Sequence, residues 1–280
     1  MILVDIGNSG LRAVRVVDHE EVEPDRVVRL SWSARIGLQV KAVPEQFSAP
    51  NQRWCDVHDA SAFDWMLRQL QSECQDQWLI SSVHQRACEL LQRRLREHDS
   101  QAAVQIVAWS DLPVHPNVDF REKTGIDRLL AGFAAWQEIR HRWKAPSPVI
   151  VVQAGTAVTV DFMDSQGVFQ GGAIMPGLGL SLQLLAAGTD KLPWLANHMV
   201  DELPMIPGKN TDEAIAAGVY ASLVGGVQYA VGRYREQFGE SIPAVVSGGD
   251  GHLLRRQIGP NVLWIDHLVL QGLRLIGNPT

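Results

Sequence analysis

Hydrophobic and polar positions alternate with different periods along the chain, and the period assigns the elements. An apolar run from Ile2 to Val4 leads into Asp5, then the turn Ile6-Gly7-Asn8-Ser9-Gly10, then an alternating segment from Leu11 to Val17, which predicts a β-hairpin. The design recurs at Val149 to Val152, the turn Gln153-Ala154-Gly155-Thr156 and the strand Ala157 to Phe162, with Gly155 following Gly7 by 148 positions. Each half later runs strand into helix: Leu79 to Ser82 precedes a helix over Gln85 to His98, and Val245 to Gly249 precedes Leu253. A duplicated α/β unit accounts for this, and so do two unrelated glycine turns. Helical spacing predicts one helix starting at Thr124, capped with Asp127, and another starting at Asn210 with Glu213 in the capping-box position. Gly171 to Gly188, with Pro176 and five glycines, reads as loop and turn followed by a short helix from about Leu180; Gly177-Leu178-Gly179 reads as a flexible loop. The Ala/Gly-rich stretch Ala214 to Gly232 reads as a buried helix rather than a membrane span.

The length of 280 residues suits one large or two similar domains, and the proline-bearing segment Lys144 to Pro148 places the division between residues 1–145 and 146–280. With 25 basic against 31 acidic residues and no sustained Lys/Arg block, the chain lacks the electrostatic footprint of a nucleic-acid binder; Arg93, Arg94 and Arg96 form only a local patch. Three cysteines without metal-ligand spacing fit free thiols and a cytoplasmic setting. The opening MILVDIGNSG is not a secretory signal and reads as structure. These features leave a small molecule as the expected partner.

Asp5, at the end of a buried strand and ahead of a Gly/Asn/Ser turn, suits Mg²⁺ that bridges to nucleotide phosphates; it equally suits an aspartate that only organises the turn. Asn8 and Ser9 share that ambiguity. The second turn, with Gly155 and Thr156, offers a hydroxyl and close backbone approach to phosphate oxygens. Neither a G-x-x-x-x-G-K-[ST] loop nor a G-x-G-x-x-G turn between strand and helix occurs. Asp127 on its own reads as a first-turn acid favoured by the helix dipole, Arg128 as a solvated charge, and Thr189 as a loop hydroxyl or a cap before Asp190.

Seven segments taken in order, DIGNSGLR (5–12), GIDR (125–128), AGTAVTVD (154–161), GGAIMPGLGLSL (171–182), GKNTDEAIAAG (208–218), VSGGDG (246–251) and HLVLQGL (267–273), resemble type III pantothenate kinase. The resemblance implies the acetate and sugar kinase/Hsc70/actin fold, with two RNase-H-like domains and a central ATP cleft. It also implies a cytoplasmic homodimer that transfers the ATP γ-phosphoryl group to pantothenate, the first step of coenzyme A biosynthesis. By resemblance Asp5, Gly7, Asn8, Ser9 and Arg12 form the first phosphate loop, with Asp5 near Mg²⁺, and Gly155 and Thr156 form the second. Ser247, Gly248 and Gly249 resemble the adenosine-side loop. Gly125, Ile126, Asp127, Arg128 and Thr189 resemble the pantothenate-binding set, with Asp127 as the general base. Two departures stand out. Gln153 occupies the position of an aspartate that helps hold a monovalent cation, typically potassium, and Val118-Asp119-Phe120-Arg121 replaces a segment that normally carries tyrosine and proline. They keep two alternatives in view: a non-catalytic relative that serves as an accessory or regulatory binding protein, and a kinase for another small hydroxylated acid.

Overall fold

The computed structural model describes residues 1–17, 20–32, 51–56, 58–200 and 204–277. The chain divides into two compact units, one formed by Met1–Pro113, Phe120–Ala134 and His267–Thr280, the other by Val114–Asp119 and Ala135–Asp266. The units are not contiguous in sequence, whereas the linker reading placed a single division at 145/146. The C-terminal residues belong with the N-terminal unit, and one long helix contributes its first half to one unit and its second half to the other.

In the first unit the expected hairpin forms from β1 (Ile2–Gly7) and β2 (Gly10–Arg15). Added to it, among the described residues, are β3 (Val28–Trp32), β4 (Gln52–Cys55), β5 (Gln77–Ser82) and β6 (Ala103–Ile106), in the order β4-β3-β2-β1-β5-β6. Alternation along each strand gives the sheet two different faces. Ile2, Val4, Ile6, Leu11, Ala13 and Leu30 are buried in a cluster with Phe63 and Met66 of α1 (Ala60–Gln69) and Leu91 and Leu95 of α2 (Gln85–His98). Leu3 and Leu79 face the other way, where α7 (Leu268–Gly277) packs on β1 and β5. A Cβ on Gly272 of α7 would come within 2.5 Å of the Leu130 carbonyl oxygen of α3 (Ile126–Trp143), so the absence of a side chain lets these two helices touch.

The second unit repeats the plan. Strands β7 (Val149–Ala154), β8 (Ala157–Met163), β9 (Phe169–Pro176), β10 (Ala244–Ser247) and β11 (Val262–Trp264) run in the order β11-β10-β7-β8-β9. The order β3-β2-β1-β5-β6 of the first sheet maps onto β9-β8-β7-β10-β11, antiparallel on one side of the central strand and parallel on the other. Of the two accounts of the spacing, the shared order supports duplication.

Three local expectations need correction. Gly171 to Pro176 is not loop but the body of β9, and α4 (Leu178–Ala187) starts at Leu178 rather than near Leu180. Gly177 and Gly179 are not a flexible loop either. A side chain on Gly177 would strike the Gly155 carbonyl oxygen, and one on Gly179 would meet the Asn197 amide, so both glycines mark close packing. Thr124 does not cap α3: its hydroxyl donates to the Phe120 carbonyl oxygen (3.3 Å), and the helix starts at Ile126.

Helix α5 (Thr211–Phe238) starts as expected, with the Asn210 side chain accepting from the Glu213 N–H (2.9 Å). It is long and apolar enough to cross a membrane by length and composition, yet Ile215, Val219, Leu223, Val227 and Val231 form one buried stripe against the second sheet. The helix is thus buried on one face only; Gly218, Ala221, Ser222, Gly225 and Tyr229 are exposed, Tyr229 at 72%.

Candidate active site

Strand register builds the site of the first unit. Ser81, Asp5, Arg12, Arg29 and Gln52 pair one with the next across β5, β1, β2, β3 and β4. Directly paired residues project from the same face, so these five make a polar row across an otherwise apolar surface. The row lies two residues from the Gly7–Gly10 turn, whose two-residue loop is Asn8-Ser9. Asp5 is buried, and its oxygen Oδ2 lies 3.6 Å from an Arg12 terminal nitrogen. Burial pushes the Asp5 carboxyl up to about 6; Arg12 opposes that shift and the nearby charge of Asp127 adds to it. Ser81 is fully buried and its hydroxyl has no hydrogen-bond partner.

The N-terminal ends of two helices complete the row. At the start of α3 the Asp127 carboxylate accepts from the Arg128 N–H (2.9 Å), and burial raises its pKa above the ordinary carboxylate range. A Cβ on Gly125 would lie 2.5 Å from Asp127 Oδ1, so glycine makes room for this orientation. Gly125, Ile126 and Arg128 stand in the same turn. At the start of α7, His267 lies 3.0 Å from an Arg29 terminal nitrogen through its Nε2. Burial, then Arg12 and Arg29, push the imidazole down to about 3, so the ring is neutral.

In the second unit Gln153 holds the place equivalent to Asp5: it pairs in register with Ser247 on β10 and Thr159 on β8 and is half-buried. Gly155 closes the turn by donating to the Ala157 carbonyl oxygen (3.1 Å), and the Thr156 carbonyl accepts from Gly177 (2.9 Å). Ser247 is buried at the end of β10. Gly248 has φ of 97° and no room for a Cβ against the Ala154 carbonyl oxygen, so two independent constraints select glycine there. Gly249 faces open space. The structure therefore groups Gln153, Gly155, Thr156 and Ser247–Gly249 at one end of the second sheet, and Asp5, Gly7, Asn8, Ser9, Arg12 and Gly125–Arg128 in the first unit. Thr189 belongs to neither group: it is exposed beyond the end of α4, its hydroxyl donating to the Leu185 carbonyl oxygen (2.7 Å). A cavity of about 910 Å³ lies between α4 and the first turns of α5, lined by Leu184, Leu185, Lys209 and Ser222 among others, and none of the candidate catalytic, nucleotide-binding or substrate-binding residues lines it.

Sequence reasoning assigned no role to Arg29, Ser81 or His267. The period-2 alternation of Val28-Arg29-Leu30-Ser31-Trp32 was the available signal for Arg29, while His267 and Ser81 stood inside segments already singled out.

The repeated five-strand order and the glycine turn at the end of each central hairpin define a chain of the acetate and sugar kinase/Hsc70/actin fold. Solved structures agree at the level of fold. A Campylobacter jejuni protein described as a Baf family transcriptional activator matches with a TM-score of 0.58 at 17% identity, covering 99% of this chain and 96% of that one. A ROK family glucokinase from Streptomyces griseus matches with a TM-score of 0.51 at 11% identity, covering 97% of each chain. The sequence narrows the class. Residues 1–233 match the type III pantothenate kinase family model, and a type III pantothenate kinase from Rhodopirellula baltica is 40% identical over 262 residues, 90% of this chain and 88% of the relative. The chain belongs to the type III pantothenate kinase family.

Proposed function

We propose that the protein transfers the γ-phosphoryl group of ATP to the primary hydroxyl of pantothenate, the entry reaction of coenzyme A biosynthesis. The observation that carries this reading is Asp127: a carboxylate oriented by its own helix turn, given space by Gly125, with a raised proton affinity and within electrostatic reach of buried Asp5. A general base needs such a poised carboxyl. The hydroxyl oxygen attacks the γ-phosphorus, the bond to the β–γ bridging oxygen breaks, and Asp127 takes the hydroxyl proton. Arg128 beside it suits the pantothenate carboxylate. In the first unit the backbone N–H groups of the Gly7–Gly10 turn suit phosphate oxygens and Arg12 supplies positive charge; in the second unit those of Gly155-Thr156 suit phosphate oxygens and Ser247–Gly249 suit the nucleoside side. The exposed Thr189 keeps its hydroxyl lone pairs for a substrate contact.

The residues present fit Mg²⁺ at Asp5, because a buried carboxylate with a raised pKa gains from a nearby cation. Bound there, the ion would neutralise charge on the phosphate oxygens. Gln153 fits a monovalent cation less well, since its amide carries no charge; its N–H₂ is instead a donor for a phosphate or a neighbouring carbonyl. The open stripe of α5 supports a homodimer, and the free thiols Cys55, Cys74 and Cys88 fit a cytoplasmic protein.

Incubation of the purified protein with ATP, Mg²⁺ and pantothenate, followed by mass detection of phosphopantothenate, tests the reading. Asp127→Asn is expected to lower turnover by about 10² to 10⁴ with the fold intact. A folded variant within threefold of wild type would refute the base. Absence of product from wild type, with nucleotide still bound, would favour the accessory-protein alternative.

A further inference from the structure

We propose that Trp32 is a positioning residue for phosphoryl transfer: from the face of the sheet opposite Asp5 it holds the Gly7–Gly10 turn in a peptide orientation that offers backbone N–H to a phosphate. The inference rests on the reading that the ATP phosphates lie against that turn.

The composition of the turn makes such a hold necessary. Its loop, Asn8-Ser9, stands between two glycines, and glycine lets a neighbouring peptide plane rotate at small cost. In a planar trans peptide the C=O and the N–H point in opposite directions. Rotation of the Gly7–Asn8 peptide would therefore exchange its N–H for a carbonyl oxygen, and an oxygen repels an anion.

Trp32 holds the loop at both ends. Its indole Nε1–H donates to the Gly7 carbonyl oxygen (3.3 Å), and its backbone N–H donates to the Ser9 carbonyl oxygen (3.0 Å). The first bond fixes the peptide that enters the loop and turns the Asn8 N–H away from the indole. The second fixes the peptide that leaves it, Ser9–Gly10. The peptide before these is held as well, because the Ile6 carbonyl oxygen accepts from the Val83 N–H (3.0 Å). A Cβ on Gly10 would collide with the Leu30 carbonyl oxygen, so glycine at 10 admits the strand that carries Trp32.

The indole has little freedom of its own. It is buried in the cluster that joins the sheet to α1 and α2, together with Ile6, Leu11 and Leu30. Its ring meets that of His84 edge-on, with centroids 6.4 Å apart. The His84 ring is fixed in turn, since its Nδ1 accepts from the Ala87 N–H (3.2 Å) in the first turn of α2. An indole nitrogen only donates, and a buried donor left without an acceptor is costly. The Gly7 carbonyl thus satisfies the ring while the ring orients the carbonyl. Phenylalanine would fill much of the same space and supply no such bond.

The test compares Mg²⁺-AMPPNP and AMP binding by calorimetry, together with KM for ATP and for pantothenate. The proteins are wild type, Trp32→Phe, Trp32→benzothienylalanine, which keeps the indole shape and replaces N–H by sulfur, and Phe63→Leu, which disturbs the same cluster away from the turn. For both Trp32 variants the expected results are AMPPNP affinity reduced about tenfold and KM for ATP raised to match, with AMP affinity and KM for pantothenate within about twofold. Phe63→Leu is expected to lower the thermal midpoint and to leave both affinities within about twofold. AMPPNP affinity unchanged in the benzothienylalanine protein, an equal loss for AMP, or the same loss in Phe63→Leu would overturn the proposal. If Trp32→Phe fails to fold, the benzothienylalanine protein decides. Wild type that binds AMPPNP but makes no phosphopantothenate refutes the proposed function, and the AMPPNP and AMP comparison still reads Trp32; wild type that binds no AMPPNP overturns both.

Discussion

Asp5 and Arg12 stand directly opposite each other across the first hairpin with their charged ends 3.6 Å apart, yet the carboxyl of Asp5 is pushed up to about 6. The reason is asymmetric burial: the Arg12 side chain is 44% exposed and that of Asp5 only 8%. Solvent screens the cation, while the carboxylate bears the full cost of leaving water.

Asp5→Asn is therefore expected to stabilise the protein while disabling it. Because the folded pKa of Asp5 exceeds its unfolded value, its contribution is fully present below about pH 4 and is lost as pH rises through about 6. Asparagine mimics the neutral form, so the variant should be more stable than wild type at pH 8, by a margin on the order of 2 kcal/mol, and indistinguishable near pH 4. Urea titrations at the two pH values measure this. An equal difference at both would exclude ionisation of Asp5 as its source.

Gly125→Ala probes the orientation of Asp127 without touching its chemistry. The added methyl must displace the carboxylate, because the Cβ position is 2.5 Å from Oδ1. We expect kcat to fall by about 10² with KM for ATP little changed, since a misplacement of about 1 Å carries that cost, and we expect the thermal midpoint to hold. Wild-type kcat in Gly125→Ala would show that the carboxylate is not used in the orientation seen.

Potassium dependence should follow residue 153. Gln153 is flanked in register by Ser247 and by Thr159, whose buried hydroxyl has no hydrogen-bond partner. We expect wild-type activity to be flat across potassium concentrations at constant ionic strength, and Gln153→Asp to acquire a dependence, because a carboxylate there adds the charge that a cation requires. A wild-type requirement in the range usual for the family, unaffected by Gln153→Asp, would show that residue 153 has no part in it.

The exposed stripe of α5 gives a prediction with two opposite readouts. A Cβ on Gly218, Gly225 or Gly232 would meet nothing within 4 Å, so Gly225→Glu costs no packing within the chain and improves helix propensity by roughly 0.5–1 kcal/mol. Sedimentation should show wild type as a dimer at micromolar concentration and the variant as a monomer that is no less stable to urea at matched association state. A dimer that survives Gly225→Glu would place the interface elsewhere.

Legibility followed the period of the pattern. Hairpins and caps depend on residues close in sequence, so Gly7, Gly155 and the Asn210–Glu213 cap could be read directly, as could α2 from Gln85 to His98. Strand β9 was misread because Gly171 and Gly172 mimic a loop; at Gly172 the cause is the close approach of Asp161, a contact from the neighbouring strand that no local window contains. Thr124 failed as a cap for a similar reason, since its hydroxyl proton goes to the preceding turn. The Asp127 assignment came from motif resemblance, and Asp5 was offered by its place at a strand end with two readings left open, while the row that adds Arg29 and His267 to them exists only through strand register and the return of α7.

That return has a bearing on how the protein is made. The β1–β2 hairpin, with Leu3 on the face opposite α1 and α2, gets its covering from Leu268–Gly277, which is made after every other described element, and a side chain on Gly277 would already collide with Met1 and Leu79. Chains commonly fold from the N-terminal domain onward during synthesis. Here Ala135–Asp266, continuous in sequence apart from a short preceding segment, can complete its own sheet while the opening hairpin still waits with one apolar side uncovered. One apolar side of that hairpin thus stays uncovered until Leu268–Gly277 has been made, whatever the state of the second sheet.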